Sequence, residues 1–155
     1  VDPGTGTRPM VFNASGDRLY VIGEISGAVT VFDYNDGKLD RRQIILADKV
    51  NARGAADIHF SPDGQFLYCS CRLENDGIAI FKVLEDGSLE DAGYFRTGIH
   101  PRNFAISPDG KWLLCACRDS DMIQILRRDK KTGALSDTGN KIKLSKPVCV
   151  QFYCN

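Results

Sequence analysis

The sequence predicts an all-β fold, a β-propeller built of four-stranded blades, and three observations carry that prediction. The first is self-similarity. Gly54 to Ser70 (GAADIHFSPDGQFLYCS), Gly98 to Ala116 (GIHPRNFAISPDGKWLLCA) and Gly6 to Ile22 (GTRPMVFNASGDRLYVI) are copies of one pattern. The turn glycines Gly16, Gly64 and Gly110 are 48 and 46 residues apart, and so are Phe12, Phe60 and Ile106. The second is the content of each copy, which offers four short β-type runs separated by turn residues; a period of about 40–50 residues with four strands per unit marks a propeller blade. The third is that helical periodicity is absent throughout, which excludes leucine-rich and ankyrin solenoids.

Each unit reads in the same order. A first strand leads into a Ser/Pro/Asp-Gly turn, whose glycine supplies the positive φ of a tight hairpin. A second strand follows (RLYVI, FLYCS, WLLCA), then a polar turn and a third (VTVFDY, IAIFKV, IQILRR). A Gly-containing turn then precedes the fourth strand, which opens at Leu39, Leu89 or Leu135. These units give blades at about 4–50, 54–97 and 98–143, with 146–153 (KPVCVQFY) read as the first strand of a further blade. Three blades and a strand do not close a ring, because propellers need about four to eight. The chain also opens on Val1-Asp2-Pro3-Gly4. The expectation is therefore the C-terminal part of a larger propeller, or a partial one that self-associates, with unpaired edges covered by the rest of the ring or by another copy.

Composition narrows the function classes. The 155 residues carry 20 Lys+Arg and 20 Asp+Glu. That balance argues against a nucleic-acid partner, which would need a basic excess. No apolar run approaches the roughly 18–20 residues of a membrane span. Of the six cysteines, Cys69 and Cys71 alternate on one strand, as do Cys115 and Cys117. Strand residues i and i+2 lie roughly 6.6 Å apart, too far for the about 3.8 Å between disulfide Cβ atoms. Small buried thiols are the simplest reading and a reducing, cytoplasmic compartment follows. Bridges between the pairs and a tetrahedral zinc site from the two C-x-C pairs stand as alternatives. No cofactor motif is present: the G-T-G at residues 4–6 precedes a strand rather than a helix.

Hairpin geometry selects the candidate site. If the first two strands fold about Gly16, Gly64 and Gly110, then Arg8 faces Glu24, Ala56 faces Arg72 and Arg102 faces Arg118. All lie at the hairpin end far from the turn, at one mouth of the channel. Two opposed arginines repel, so Arg102 and Arg118 call for an anion or nearby carboxylates, and guanidinium forks suit phosphate or carboxylate. Glu24 is a carboxylate among arginines, placed to act as general base on water. His100, just before Pro101-Arg102, is a candidate ligand contact; His59, mid-strand, reads as a hydrogen-bonded blade residue. Asp57 reads as an orienter of Arg72 or of neighbouring backbone. The plain structural alternative is a solvated ring of strand-end charges. No Ser-His-Asp arrangement or metal-spaced His cluster is visible.

The segments GTGTRPMVFNASGDRLYVIGEISGAVTVFDY, AADIHFSPDGQFLYCSCRLENDGIAIFKV, HPRNFAISPDGKWLLCACRDSDMIQILRRDKKTGAL and KPVCVQF resemble the seven-bladed β-propeller lactonase family. That family includes bacterial 6-phosphogluconolactonases and fungal carboxy-muconate lactonizing enzymes. WD-repeat and kelch signatures are absent. The resemblance implies a seven-bladed ring and places Arg8, Glu24 and Arg72 at the catalytic mouth. It also exposes departures. Thr7-Arg8-Pro9 stands where the family has Pro-Arg-His, and Pro9 cannot replace an imidazole as acid or base; Cys71 stands where Asn is common. The implied activity is hydrolysis of a sugar lactone, foremost 6-phosphogluconolactone in the pentose phosphate pathway. Glu24, Arg8 and Arg72 would be catalytic, Arg102, Arg118 and His100 would hold the phosphorylated substrate, and no metal or cofactor would be needed. A lactonizing, carboxylate-binding enzyme and a non-catalytic propeller scaffold are the rival readings.

Overall fold

The computed structural model describes residues 1–153. It contains twelve strands in three four-stranded antiparallel sheets, each running in sequence order from one edge to the other. The first blade comprises β1 (Thr7–Phe12), β2 (Arg18–Gly23), β3 (Ala28–Asn35) and β4 (Lys38–Leu46). The second comprises β5 (Ala55–Phe60), β6 (Phe66–Cys71), β7 (Gly77–Val83) and β8 (Leu89–Arg96). The third comprises β9 (Pro101–Ile106), β10 (Trp112–Cys117), β11 (Met122–Arg128) and β12 (Leu135–Lys143). The helical content among the described residues is two three-residue 3-10 turns, Leu73–Asn75 and Arg118–Ser120, each directly after the second strand of its blade. No helix there is long and apolar enough to cross a membrane.

Two apolar layers hold the blades together. Tyr20, Ile22, Val29 and Val31 pack on Ile58, Leu67, Cys69, Cys71 and Phe81 between the first two blades. Phe66, Tyr68, Ile78 and Ile80 pack on Phe104, Leu113, Cys115, Cys117 and Leu126 between the second and third. The two C-x-C pairs therefore face different layers, which is why they do not converge on a metal. Cys115 and Cys117 Sγ are 3.8 Å apart, against about 2.05 Å for a bonded pair. Burial pushes the Cys71 thiol up to about 12 and the Cys69 thiol well up too.

The repeat also fixes polar contacts between blades. Tyr20 Oη donates to Gly87 O (2.7 Å), and its equivalent Tyr68 donates to Gly133 O (2.8 Å). Nearer the axis, Asp57 Oδ2 accepts the Phe104 N–H (3.2 Å) and the Asn103 side chain (2.6 Å). Asn103, equivalent to Asp57, passes the contact on by accepting the Val150 N–H through Oδ1 (2.7 Å). Asp57 also accepts from His59 Nε2 (3.0 Å), whose ring meets Phe104 edge-on. Asp57 thus orients neighbouring backbone, and not Arg72. The equivalent position in the first blade is Pro9, which has no side-chain acceptor.

Residues 146–153, expected as a strand, form no ladder among the described residues. A strand needs a hydrogen-bonded partner, and the segment's bond from Val150 is to a side chain. Its register relative to the third blade is nevertheless that of the repeat, since Val150 stands 46 residues after Phe104.

The hairpin register differs from the simple expectation by one residue, then by two. Phe12 pairs with Leu19, Phe60 with Leu67 and Ile106 with Leu113. The turn glycines, at φ 69° to 73°, follow the two central turn residues rather than straddling the centre. Each first strand then carries a β-bulge at the same place. Thr7 pairs with Gly23, Ala55 with Cys71 and Pro101 with Cys117, with the register shift just after them. Arg8 with Pro9, Ala56 with Asp57, and Arg102 are the residues in these register shifts. A bulge re-aims a side chain and ends regular pairing, so the shared irregularity decides where the arginines point.

Candidate active site

Two sets of repeat-equivalent positions supply the site. The bulges contribute Arg8 and Arg102. The residues leaving the second strands contribute Glu24, Arg72 and Arg118, whose backbone N–H groups donate to Gly6, Gly54 and His100 carbonyls at 2.8, 3.0 and 3.0 Å. His100 occupies the place held by glycine in the other two blades and has a left-handed φ of 61°. That conformation is uncommon outside glycine, although histidine is among the residues enriched there. Its N–H is held by Asp76 Oδ1 at 2.9 Å.

Arg72 is the centre of the cluster. It is 5% exposed and joins all three blades: Nη2 donates to Glu24 Oε1, Nε donates to Gly54 O (2.8 Å), and Nη1 contacts His100 Nε2 (3.2 Å). With a longer Nη2 contact to Ala55 O (3.5 Å), four of its five N–H donors are committed. Glu24 also meets Arg8 Nη1 at 3.7 Å and keeps its side chain 35% exposed. It is held between two guanidinium groups and still reaches water. Arg8 Nε donates to Ala56 O at 3.4 Å, which leaves most of its fork free.

Arg102 behaves differently from the expectation. The bulge removes its cross-strand pairing with Arg118, and Arg102 lies among the charges of Arg8, Arg72, Glu24 and Arg118. Burial and the positive charges of Arg8, Arg72 and Arg118 lower its pKa. Among the described residues it has no hydrogen-bond or ion-pair partner, so this guanidinium is a cation beside cations. Arg118 stands at the edge of the cluster, in the 3-10 turn, where its Nε and Nη2 bind Asp119 at 2.9 and 3.0 Å. These bonds, helped by Lys146, hold Asp119 down to about 2. His100, expected as a ligand contact, is buried, with Nε2 on Arg72 and Nδ1 3.3 Å from Asp119 Oδ2. Both ring nitrogens are engaged by the protein. Burial, and then the charges of Arg118 and Arg72, lower its pKa below the ordinary imidazole value.

The structure thus gathers Arg8, Glu24, Arg72 and Arg102, with His100 behind Arg72 and Arg118 at the edge, committed to Asp119. Asp119 and Asp76 were missed by sequence reasoning. The available signal was the break in symmetry after the second strand, where Glu24-Ile25 and Arg72-Leu73 give way to Arg118-Asp119.

A partial propeller with arginines and one carboxylate clustered where the inner strands of three blades end is the class that fold and site define. The family model described as lactonase, 7-bladed beta-propeller, matches residues 1–152, and the chain belongs to that family. It is 40% identical to a 6-phosphogluconolactonase of Formosa agariphila over 99% of this chain and 45% of that protein. A crystal structure of a candidate 6-phosphogluconolactonase from Bacteroides fragilis superposes with a TM-score of 0.97 at 54% identity, covering 99% of this chain and 44% of the other. A periplasmic gluconolactonase from Pseudomonas aeruginosa gives 0.94 at 30% identity, over 99% and 44%. The chain spans less than half the length of these relatives.

Proposed function

We propose that the complete protein is a lactonase that hydrolyses a sugar lactone carrying an anionic group, with 6-phosphogluconolactone as substrate and the pentose phosphate pathway as setting. The observation that carries this reading is Glu24 fixed between Arg8 and Arg72 beside the uncommitted Arg102. Water adds to the lactone carbonyl carbon while Glu24 takes its proton. The free donors of Arg8 and the remaining Nη1–H of Arg72 face the negative charge that develops on the carbonyl oxygen. The ring C–O bond then breaks, and the protonated Glu24 returns its proton to the departing alkoxide. One carboxyl serves as base and then acid, so the imidazole replaced by Pro9 is not required. Arg102 takes the phosphate by charge-assisted forks.

The names of the relatives support lactone chemistry, and the cysteines support a cytoplasmic setting, although one relative is periplasmic. The rest of the same polypeptide is the proposed cover for the outer face of the first blade, where Met10, Phe12, Ile44 and Leu46 are exposed. The test is lactone hydrolysis by the full-length protein, with spontaneous ring opening subtracted. Glu24→Gln should lower kcat by about 10²- to 10⁴-fold and leave binding of inorganic phosphate intact. Unchanged turnover removes Glu24 as the base, and no rate above background in the wild type supports a scaffold.

A further inference from the structure

The chain of contacts behind the arginine cluster is longer than lactone chemistry requires. It runs from Lys146 and Arg118 to Asp119, from Asp119 to His100 Nδ1, from His100 Nε2 to Arg72, and from Arg72 to Glu24. Apart from the bond between the neighbours Arg118 and Asp119, each link crosses from one element to another, and the last two cross blade boundaries. A guanidinium has donors only, so the contact with Arg72 Nη1 is a hydrogen bond only if His100 Nε2 carries a lone pair. The proton of the neutral ring must then sit on Nδ1, and the Asp119 carboxylate, 3.3 Å from that nitrogen, favours it there by charge. We propose that Asp119 is a positioning residue of the site: by setting its carboxylate charge beside Nδ1 of His100 it favours the tautomer whose Nε2 holds Arg72, and through Arg72 it sets the orientation of Glu24.

Three observations support this independently of turnover. His100 is held in a left-handed conformation where the other blades have glycine, and Asp76 captures its N–H, so the ring has a fixed origin. The groups facing the ring are Arg72 at the end of β6, Asp76 after the preceding 3-10 turn, and Arg118 with Asp119 after β10. Their charges nearly balance, and burial keeps the imidazole neutral near pH 7. Finally, Asp119 is tied to Lys146, on the segment that leaves the third blade. The blade that bears no bulge arginine is therefore aligned to Glu24 by the blade on its other side. A wrong ring tautomer would set an N–H against an N–H and push the guanidinium away from Glu24, as tautomer control by a buried carboxylate does in the serine-protease triad.

The inference deepens the lactonase reading, and its first test does not depend on it. In the full-length protein labelled with ¹⁵N-histidine, long-range ¹H–¹⁵N correlations report the tautomer, and His100→Asn identifies the resonance. Asparagine tolerates the left-handed backbone and is too short to reach Arg72. At pH 7.5 the wild type should show a protonated Nδ1 and a bare Nε2, and Asp119→Asn should shift protonation toward Nε2. A wild-type ring protonated at Nε2, or an unaltered tautomer in Asp119→Asn, overturns the proposal whether or not the protein turns over lactones. If it does, Asp119→Asn should lower kcat about tenfold with KM within about twofold, the scale of one lost charge-assisted bond. Asp119→Glu should recover part of the loss, and Asp119→Asn should have no further effect in a His100→Asn background. An equal effect in both backgrounds would mean that Asp119 acts only as a structural partner of Arg118 and Lys146.

Discussion

Tyr20 and Tyr68 allow the strength of a blade latch to be measured against an internal standard. Both are fully buried second-strand residues, and each donates its hydroxyl hydrogen to a turn glycine of the next blade. They differ in one partner. Arg128, whose side chain is fully buried, donates Nε–H to Tyr68 Oη at 2.8 Å and uses its other nitrogens on Asp63 and Gly110 O. Tyr20→Phe removes one neutral bond and should cost about 1 kcal/mol. Tyr68→Phe removes the same bond and also strands a buried guanidinium N–H. A charge-assisted bond adds about 2 kcal/mol, so the total should be about 3 kcal/mol. Urea unfolding of the full-length variants, followed by fluorescence, should show the larger midpoint shift for Tyr68→Phe at unchanged slope. Arg128→Met should make the subsequent Tyr68→Phe change cost only about 1 kcal/mol. Equal shifts for the two tyrosines would refute the assignment of strength to the arginine.

Three further outcomes are expected. Arg102→Ala should weaken binding of inorganic phosphate at least tenfold, read by calorimetry, while changing stability by less than about 0.5 kcal/mol, because no described partner is lost. His100 makes stability depend on pH in a set direction. Its folded pKa lies below the unfolded value of about 6.5, so its contribution is complete above pH 6.5 and is lost as pH falls from there through the folded value; thermal midpoints between pH 8 and 5 should fall for the wild type and flatten over that window for His100→Asn. Residues 1–155 alone should associate in solution, because the first blade leaves apolar side chains uncovered; light scattering showing a cooperative, dilute monomer would count against this.

The fold was legible because the repeat encodes it several times over. Turn glycines, aromatic positions and strand lengths all recur at one period, so a misjudged boundary in one unit is corrected by the others. The register was less legible. A bulge is a matter of backbone geometry, and Thr7-Arg8-Pro9 and Ala55-Ala56-Asp57 share no residue pattern that announces one. Arg8, Glu24 and Arg72 still meet despite that error, because Glu24 and Arg72 occupy equivalent places after the second strands and Arg8 lies in the bulge beside Glu24. The opposition of Arg102 and Arg118 did not survive, since it depended on register within a single hairpin. Asp119 became visible only when the turn after β10 brought it beneath His100.

Pro9 has a consequence for how the molecule wears out. At the inner edge, the second and third blades are joined by Asp57, and the following segment is joined by Asn103. Between the first and second blades that place holds proline, and the side-chain bond nearest to it is the 3.4 Å contact from Arg8 to Ala56 O. The boundary that Glu24 and Arg72 straddle lacks that inner-edge bond and is held there by Arg72 itself, with Tyr20 on Gly87 and Gln43 on Leu89 fastening it farther out. On warming, this inner edge should loosen early while the sheets on either side keep their ladders. The arginine cluster would then be lost before the fold, and a sample with an intact β-sheet spectrum would be no guarantee of an assembled site.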